Sequence, residues 1–198
     1  MAKLNHPKDG TESHGGLAYS EIGDKVVQLM EVRRPDEEKA YIRALNQGWH
    51  IAPDGSDDTH GPNWGSSRAW TDILAPGLSK QNILDALAKR HCYSTLDRNC
   101  LLRFRVNSAT MGDIISEPVK EVKVSVRVAD SDETDVIAKI ELFEDGEVVQ
   151  VYKPNKQATC WLAGCSPAPG NHYYFAKVTQ ADGNMLWSAP IWLTVVGQ

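Results

Sequence analysis

Two hydrophobic rhythms divide the chain near its middle. In the first half, short apolar runs alternate with helical patterns. The run KVVQLMEV (Lys25–Val32) lies between Gly23-Asp24 and Arg33-Arg34-Pro35, which predicts a buried strand. A helix is expected next, over Pro35–Gly48. Proline opens it, acids fill its first turn, Ala40, Ile42, Ala44 and Leu45 supply the apolar positions, and Gly48 stops it. WHIAP (Trp49–Pro53) and AWTDILA (Ala69–Ala75) read as further strands. Ser79–His91 reads as a second helix, capped by Ser79, with Ile83, Leu84, Leu87 and Ala88 on one face. Strands alternating with helices predict a parallel sheet covered by helices over residues 1–98.

From about Cys100 the period changes to two. LLRFRVN, VKVSVRVAD and DVIAKIELFEDGEVVQVY alternate or are β-branched, and ATCWLAG and HYYFAKVTQADGNMLWSAPIWLTVV continue the pattern. Asp145-Gly146 and Asp182-Gly183 are hairpin signals. Residues 99–198 are therefore expected to form an antiparallel Ig-like β-sandwich, which makes the chain α/β plus all-β.

Composition narrows the function. The 198 residues are 41% hydrophobic and 24% charged, enough for a core, and the net charge of −5 comes with no Lys/Arg stripe, so nucleic acid is excluded as an expected partner. No apolar run approaches the roughly 20 residues of a membrane span, and MAKLNHPKDG lacks the apolar core of a signal peptide. Four cysteines (Cys92, Cys100, Cys160, Cys165) without zinc spacing are expected as free thiols, although Cys160 and Cys165 would be able to bridge if the WLAG between them turned back.

The loop IAPDGSDDTHGPNWG (Ile51–Gly65) follows a predicted strand, where an open α/β sheet places its ligands. Asp58 and His60 are two positions apart and point the same way on an extended chain, so both can reach one ion, and carboxylate plus imidazole suits Zn, Mn or Fe. His6 in LNHP and Glu31 in LMEV end predicted strands on the same rim and are further candidates, with Asp57 and His14 in reserve. Plainer readings stand beside these. The Asp-rich loop can be a solvated turn, His6 a turn residue before Pro7, and Glu31 the partner of Arg33 or Arg34. Trp64 and Trp70 can be core anchors instead of a substrate platform.

LNHP, LMEV, GWHIAPDGSDDTHGPNWG and ILDALAKRHCYSTLDRNCLLRFRVNSATMGD, in that order, resemble the C-terminal portion of PHP-family (polymerase-and-histidinol-phosphatase) metal-dependent phosphoesterases. The likeness is to the subgroup with a β-sandwich after its barrel. The resemblance implies a partial PHP-type β/α barrel, a divalent metal (Zn, Mn or Fe) held by His6, Asp58 and His60, with Glu31 in a fourth position, and a small phosphoester-like substrate. The family's His-x-His pair is missing, since His6, His14, His50, His60, His91 and His172 include no two residues at that spacing. The expected molecule is thus a hydrolase fragment without the N-terminal metal motifs, holding its metal weakly or not at all by itself and pairing as a homodimer over an open barrel edge. A periplasmic or extracellular location is favoured over a cytoplasmic one. The competing expectation is a non-catalytic binding or interaction module. Its features would be Trp161, Tyr173, Tyr174, Trp187 and Trp192.

Overall fold

A computed structural model describes residues 1–8, 13–66 and 68–197. Three strands form a parallel sheet in the order β1 (Ala2–Leu4), β2 (Val27–Glu31), β3 (Ala52–Asp54). Helix α1 (Glu21–Val26) runs straight into β2, and α2 (Pro35–Asn46) links β2 to β3. Pro35 stands in the first turn of α2, where its missing N–H costs nothing, and Pro53 sits on the edge strand β3.

The expected partial β/α barrel does not form. The chain is mostly sheet, 42% strand against 16% helix, too little helix to wall a barrel. The strand after the Asp-rich loop, β4 (Trp70–Ile73), does not extend the parallel sheet. It pairs antiparallel with β5 (Cys92–Thr95), in the register Trp70↔Thr95 to Ile73↔Cys92. The intervening α3 (Lys80–Ala88), capped where the Ser79 hydroxyl accepts the Asn82 N–H at 3.2 Å, is therefore an excursion between antiparallel neighbours and not a parallel crossover. Strand–helix–strand alternation in sequence fits both geometries. The choice is made by β5, whose four residues are all buried and whose far edge is taken by a strand from the C-terminal half.

That half adds β6 (Leu101–Val106), β7 (Ala109–Thr110), β8 (Val122–Ala129), β9 (Ile137–Glu144), β10 (Glu147–Tyr152), β11 (Ala158–Cys165), β12 (Gly170–Gln180), β13 (Met185–Ser188) and β14 (Ile191–Val195). One sheet runs β10-β9-β12-β13-β5-β4, with β14 continuing the line of β13 along β12 after Pro190, and the other runs β11-β8-β6-β7. The two face each other as a sandwich. Strands β6 and β8 alternate strictly, so Leu102, Phe104, Val106, Val122, Val124, Val126 and Val128 face inward onto Ile140, Leu142, Tyr174, Ala176 and Val178. The outer face of the larger sheet is covered as well. Phe143, Tyr173, Phe175, Trp187 and Trp192 meet Ala40, Tyr41, Ala44 and Leu45 of α2 together with Met30, Val32 and Ile51. The Tyr173 hydroxyl donates to Asn46 Oδ1 at 2.7 Å, and the Ser94 hydroxyl on β5 donates to the Val32 carbonyl, which pins the helical layer to the sheet.

The aromatics singled out for a binding face are therefore largely structural. Tyr173, Tyr174, Trp187 and Trp192 are buried, and Trp161 packs half-buried beside Tyr152 with ring centroids 5.5 Å apart. All four cysteines are free. Cys160 and Cys165 occupy one straight strand, β11, five residues apart and on opposite faces, so about 16 Å of extended backbone keeps them from bridging. No helix among the described residues is long and apolar enough to cross a membrane.

Candidate functional site

The C-terminal ends of β1, β2 and β3 open on one rim, because the three strands are parallel. Glu31 closes the central strand β2 and is fully buried. His6 follows β1, and the chain after β3 carries Asp54, Ser56 and Asp58. The rim thus brings together residues 25 positions apart on either side of Glu31. The His6 backbone N–H donates to Glu31 Oε2 at 2.8 Å, its Nδ1 lies 3.2 Å from the same oxygen, and its Nε2 lies 3.6 Å from Asp58 Oδ1. Both His6 and Asp58 sit in the left-handed region, with φ 52° and 50°. Non-glycine residues there cost about 1–3 kcal/mol each and concentrate at functional sites.

Glu31 is the post around which this rim is built. The Ser56 hydroxyl donates to Oε1, while Arg33 Nη2 meets Oε2 at 3.1 Å. Burial alone would raise the Glu31 carboxyl, but the Ser56 hydroxyl, the His6 N–H and the cations of Arg33 and His6 outweigh it and hold the group below the ordinary carboxylate range. It is ionised at neutral pH, and its contribution to stability disappears only in acid, as the pH falls through that lowered value. Arg33 is held in turn by Glu37, which accepts from its backbone N–H at 2.7 Å and from Nη2 at 3.1 Å. Burial would lower the guanidinium, yet Glu37, Glu31 and Asp58 together raise it.

His60 is exposed, and its Nδ1 lies 2.9 Å from the Asp58 carbonyl. A carbonyl only accepts, so Nδ1 is the donor of this pair and Nε2 faces away from it. Asp57 serves the loop itself, accepting the Gly65 N–H at 2.8 Å. Gly55 brings the loop so close to β4 that a Cβ would stand 2.2 Å from the Trp70 carbonyl oxygen. Trp64, 83% exposed, projects from the same loop, while Trp70 is half-buried under the Arg98 guanidinium at 5.0 Å.

His6, Glu31 and Asp58 thus converge, whereas His60 is held by the Asp58 carbonyl, and the expected ligands His6, Asp58 and His60 do not bring their three ligand atoms within 4.8 Å of one another. Sequence reasoning missed Ser56 and the set below it, where Lys3 pairs with Asp54 and the Thr71 hydroxyl donates to Asp54 Oδ1 at 2.8 Å. The usable signal for Ser56 was its place two residues beyond a parallel strand's C-terminus.

A second His–carboxylate group, Glu144, Asp145 and His172, lies on the large sheet. His172 Nδ1 is 2.7 Å from Asp145 Oδ2 and Nε2 is 2.8 Å from the Ala168 carbonyl, so both nitrogens face acceptors and neither lone pair is free for a metal. Burial would lower this imidazole, but the Ala168 carbonyl, Asp145 and Glu144 raise it above its ordinary value. A raised histidine stabilises the fold fully below about pH 6.5 and loses that contribution as the pH rises through the folded value. Thermal unfolding followed from pH 6 to 8 is expected to show falling stability that flattens in His172→Gln. An unchanged slope in the variant would dismiss this tie.

No family model matches the chain. It is similar to uncharacterized proteins of Chlamydia muridarum and Chlamydia pneumoniae, 28% and 29% identical over 140 residues that cover 62% of this chain. The chain spans about a fifth (22%) of the length of these relatives. Among solved structures, fibronectin(III)-like modules of Clostridium thermocellum CbhA superpose on 48% of this chain and 99% of theirs, at 17% identity and TM-score 0.31. A Jonesia denitrificans lytic polysaccharide monooxygenase superposes on 41% of this chain and 60% of its own, at 16% identity and TM-score 0.31. Superpositions this loose carry no functional meaning for the chain.

Proposed function

We propose that this chain carries part of the active site of a metal-dependent hydrolase of the phosphoesterase type, with His6 and Asp58 as the standing ligands of one divalent cation and His60 joining them from the same loop when the ion binds. The observation that carries the reading is the approach of His6 Nε2 to Asp58 Oδ1, 3.6 Å, across a rim built from two distant segments. Tetrahedral ligands at about 2.0–2.1 Å from one zinc ion stand roughly 3.4 Å apart, so the two atoms fit a shared ion with almost no adjustment. His60 offers its Nε2 while the Asp58 carbonyl orients the ring, as a hydrogen-bonded second nitrogen orients many metal-bound histidines. The order LNHP, LMEV, DDTH supports the same reading through its resemblance to PHP phosphoesterases.

Glu31 plays a different part. Its carboxylate already receives the Ser56 hydroxyl, the His6 N–H and Arg33, so it orients the ligands and holds His6 in its left-handed conformation. A divalent ion bound here would supply Lewis acidity toward a phosphoryl oxygen and lower the pKa of its water to about 7. Trp64 stands exposed on the ligand loop, placed to contact the organic part of a substrate.

Titration of Zn2+ or Mn2+ into the 198-residue chain is expected to show one site whose affinity falls at least tenfold in His60→Ala and in His6→Ala. An aryl phosphodiester serves as the substrate for the matching activity assay. Equal metal affinity in wild type and both variants would end the metal reading. Intact binding without turnover would leave a metal site that does not hydrolyse phosphodiesters.

A further inference from the structure

The smaller sheet, β11-β8-β6-β7, turns its outer face away from α2, and that face carries a cationic patch that shares no residue with the rim. Strict alternation points Arg103 and Arg105 of β6 and Arg127 of β8 outward, and all three are exposed. The register sets Arg103 directly opposite Arg127, and Arg105 opposite Ser125. Residues facing each other across antiparallel strands stand about 5 Å apart at the backbone, and like charges placed so destabilise a sheet. No outward position of β6, β8 or β11 is acidic. The linear sequence hides the patch, because buried residues separate its members along each strand.

Among the described residues none of the three arginines forms an ion pair. Arg103 Nη1 donates to the Leu102 carbonyl at 3.0 Å and Arg105 Nη2 to the Ser108 carbonyl at 2.9 Å, which leaves most of each guanidinium fork open, and Arg127 has no hydrogen bond within the described chain. Burial raises the Asp72 carboxyl, against the pull of the Tyr93 hydroxyl at 2.6 Å and then of Arg103, so this half-buried acid already has its own donor. The remaining outward cation, Lys123, pairs with Glu121 at 2.7 Å. A chain of net charge −5 thus leaves three guanidiniums together without a counter-ion.

A second observation, independent of charge, lies on the same surface. Leu162 of β11 and Leu101 of β6 point outward and are 74% and 53% exposed, and Leu162 shares a cross-strand row with Ser125 and Arg105. Leu78, 97% exposed, lines one groove with Leu101 and Arg103. Large apolar side chains held in water beside unpaired arginines mark an interaction surface. We propose that this face docks on an anionic phospholipid bilayer, with the guanidiniums on headgroup phosphates and the leucines at the boundary with the acyl chains. The planar guanidinium fork matches two phosphate oxygens at once. Apolar side chains that reach the boundary add their burial to the attraction between basic residues and anionic lipid. A soluble polyanion would satisfy the arginines and leave the leucines in water.

Cosedimentation of the 198-residue chain with vesicles tests this. Vesicles of phosphatidylcholine mixed with phosphatidylglycerol are expected to bind the chain, and vesicles of phosphatidylcholine alone to bind it at least tenfold more weakly. Removing one charge, in Arg105→Gln or Arg127→Gln, should weaken binding about fivefold. Leu162→Ser should weaken it at least about twofold and leave its dependence on salt unchanged. All three positions are exposed, so thermal unfolding of the variants should match the wild type, and His60→Ala should bind vesicles as the wild type does. No binding, or equal binding to the two kinds of vesicle, would overturn the proposal. So would wild-type affinity in both arginine variants. Wild-type affinity in Leu162→Ser, or binding to heparin without binding to anionic vesicles, would assign the patch to a soluble polyanion and end the bilayer reading.

Discussion

Replacing Trp187 by alanine is expected to lower the unfolding free energy by about 4 kcal/mol, within the range for deleting a large buried aromatic. Trp187 is completely buried on the face of the large sheet that receives α2. Its indole N–H donates to Glu38 Oε2, and Lys177 reaches the same oxygen at 2.6 Å while its ammonium lies 5.6 Å from the indole ring. The substitution opens a cavity between the helical layer and the sheet and strips Glu38 of one donor. Trp187→Phe keeps most of the ring volume and is expected to cost less than half as much, since Lys177 still neutralises Glu38. Urea unfolding followed by far-UV circular dichroism measures both. A loss below about 1 kcal/mol for Trp187→Ala would mean that α2 does not depend on this face of the sheet.

Glu37→Ala is expected to cost about 3 kcal/mol, the lower end for breaking a buried ion pair, because one of the two arginines it leaves behind can reach water. Glu37 is 1% exposed and binds Arg33 through the backbone N–H and the guanidinium, and Arg34 at 2.8 Å. Its carboxylate also completes the start of α2, where Arg34 in the capping position provides no side-chain cap. The effect is expected to reach the rim. Arg33 links Glu37 to Glu31 and points Nη1 at the Ser56 carbonyl, 3.4 Å away, so its release loosens the group that orients His6. Metal titration on the same variant should show weakened binding even though Glu37 touches none of the proposed ligands. Glu37→Gln retains an acceptor for the Arg33 N–H and should fall between wild type and alanine in both measurements. Stability within about 1 kcal/mol of wild type in Glu37→Ala would show that the arginines find other partners at no cost.

Much of the local structure is written in short stretches of residues. The alternation of LLRFRV and VKVSVRVA placed β6 and β8 with the correct residues inward, because a strand between a core and water must alternate. Asp145-Gly146 makes a tight hairpin with φ of 52° and 88° at the two positions, values that aspartate tolerates and glycine accepts freely. Pro35 and Ser79 marked helix starts through the physics of unsatisfied N–H groups. The rim is a more distant kind of legibility. His6, Glu31 and Asp58 were candidates because each ends or follows a strand, and parallel strands bring such positions to one side.

The sequence by itself determined most of the strands, helices α2 and α3 but not α1, where the tight turns fall, and which residue types could bind a cation. Tertiary structure alone decided which strands pair. AWTDI and CYST carry no mark of direction, and they became antiparallel members of the large sheet because β13 offered β5 a partner edge. It alone decided that β12 is covered on both faces, so that Tyr173 and Phe175 belong to the helical layer and Tyr174 and Ala176 to the sandwich core. It alone gathered Asp97, Asp130, Asp135 and Gln180, which are ordinary turn and strand-end residues until two sheets close on them. The reason is the same in each case: hydrogen-bonding patterns and turn chemistry act within a few residues, whereas pairing partners, double burial and the meeting of distant charges are settled only by which surfaces exclude water together.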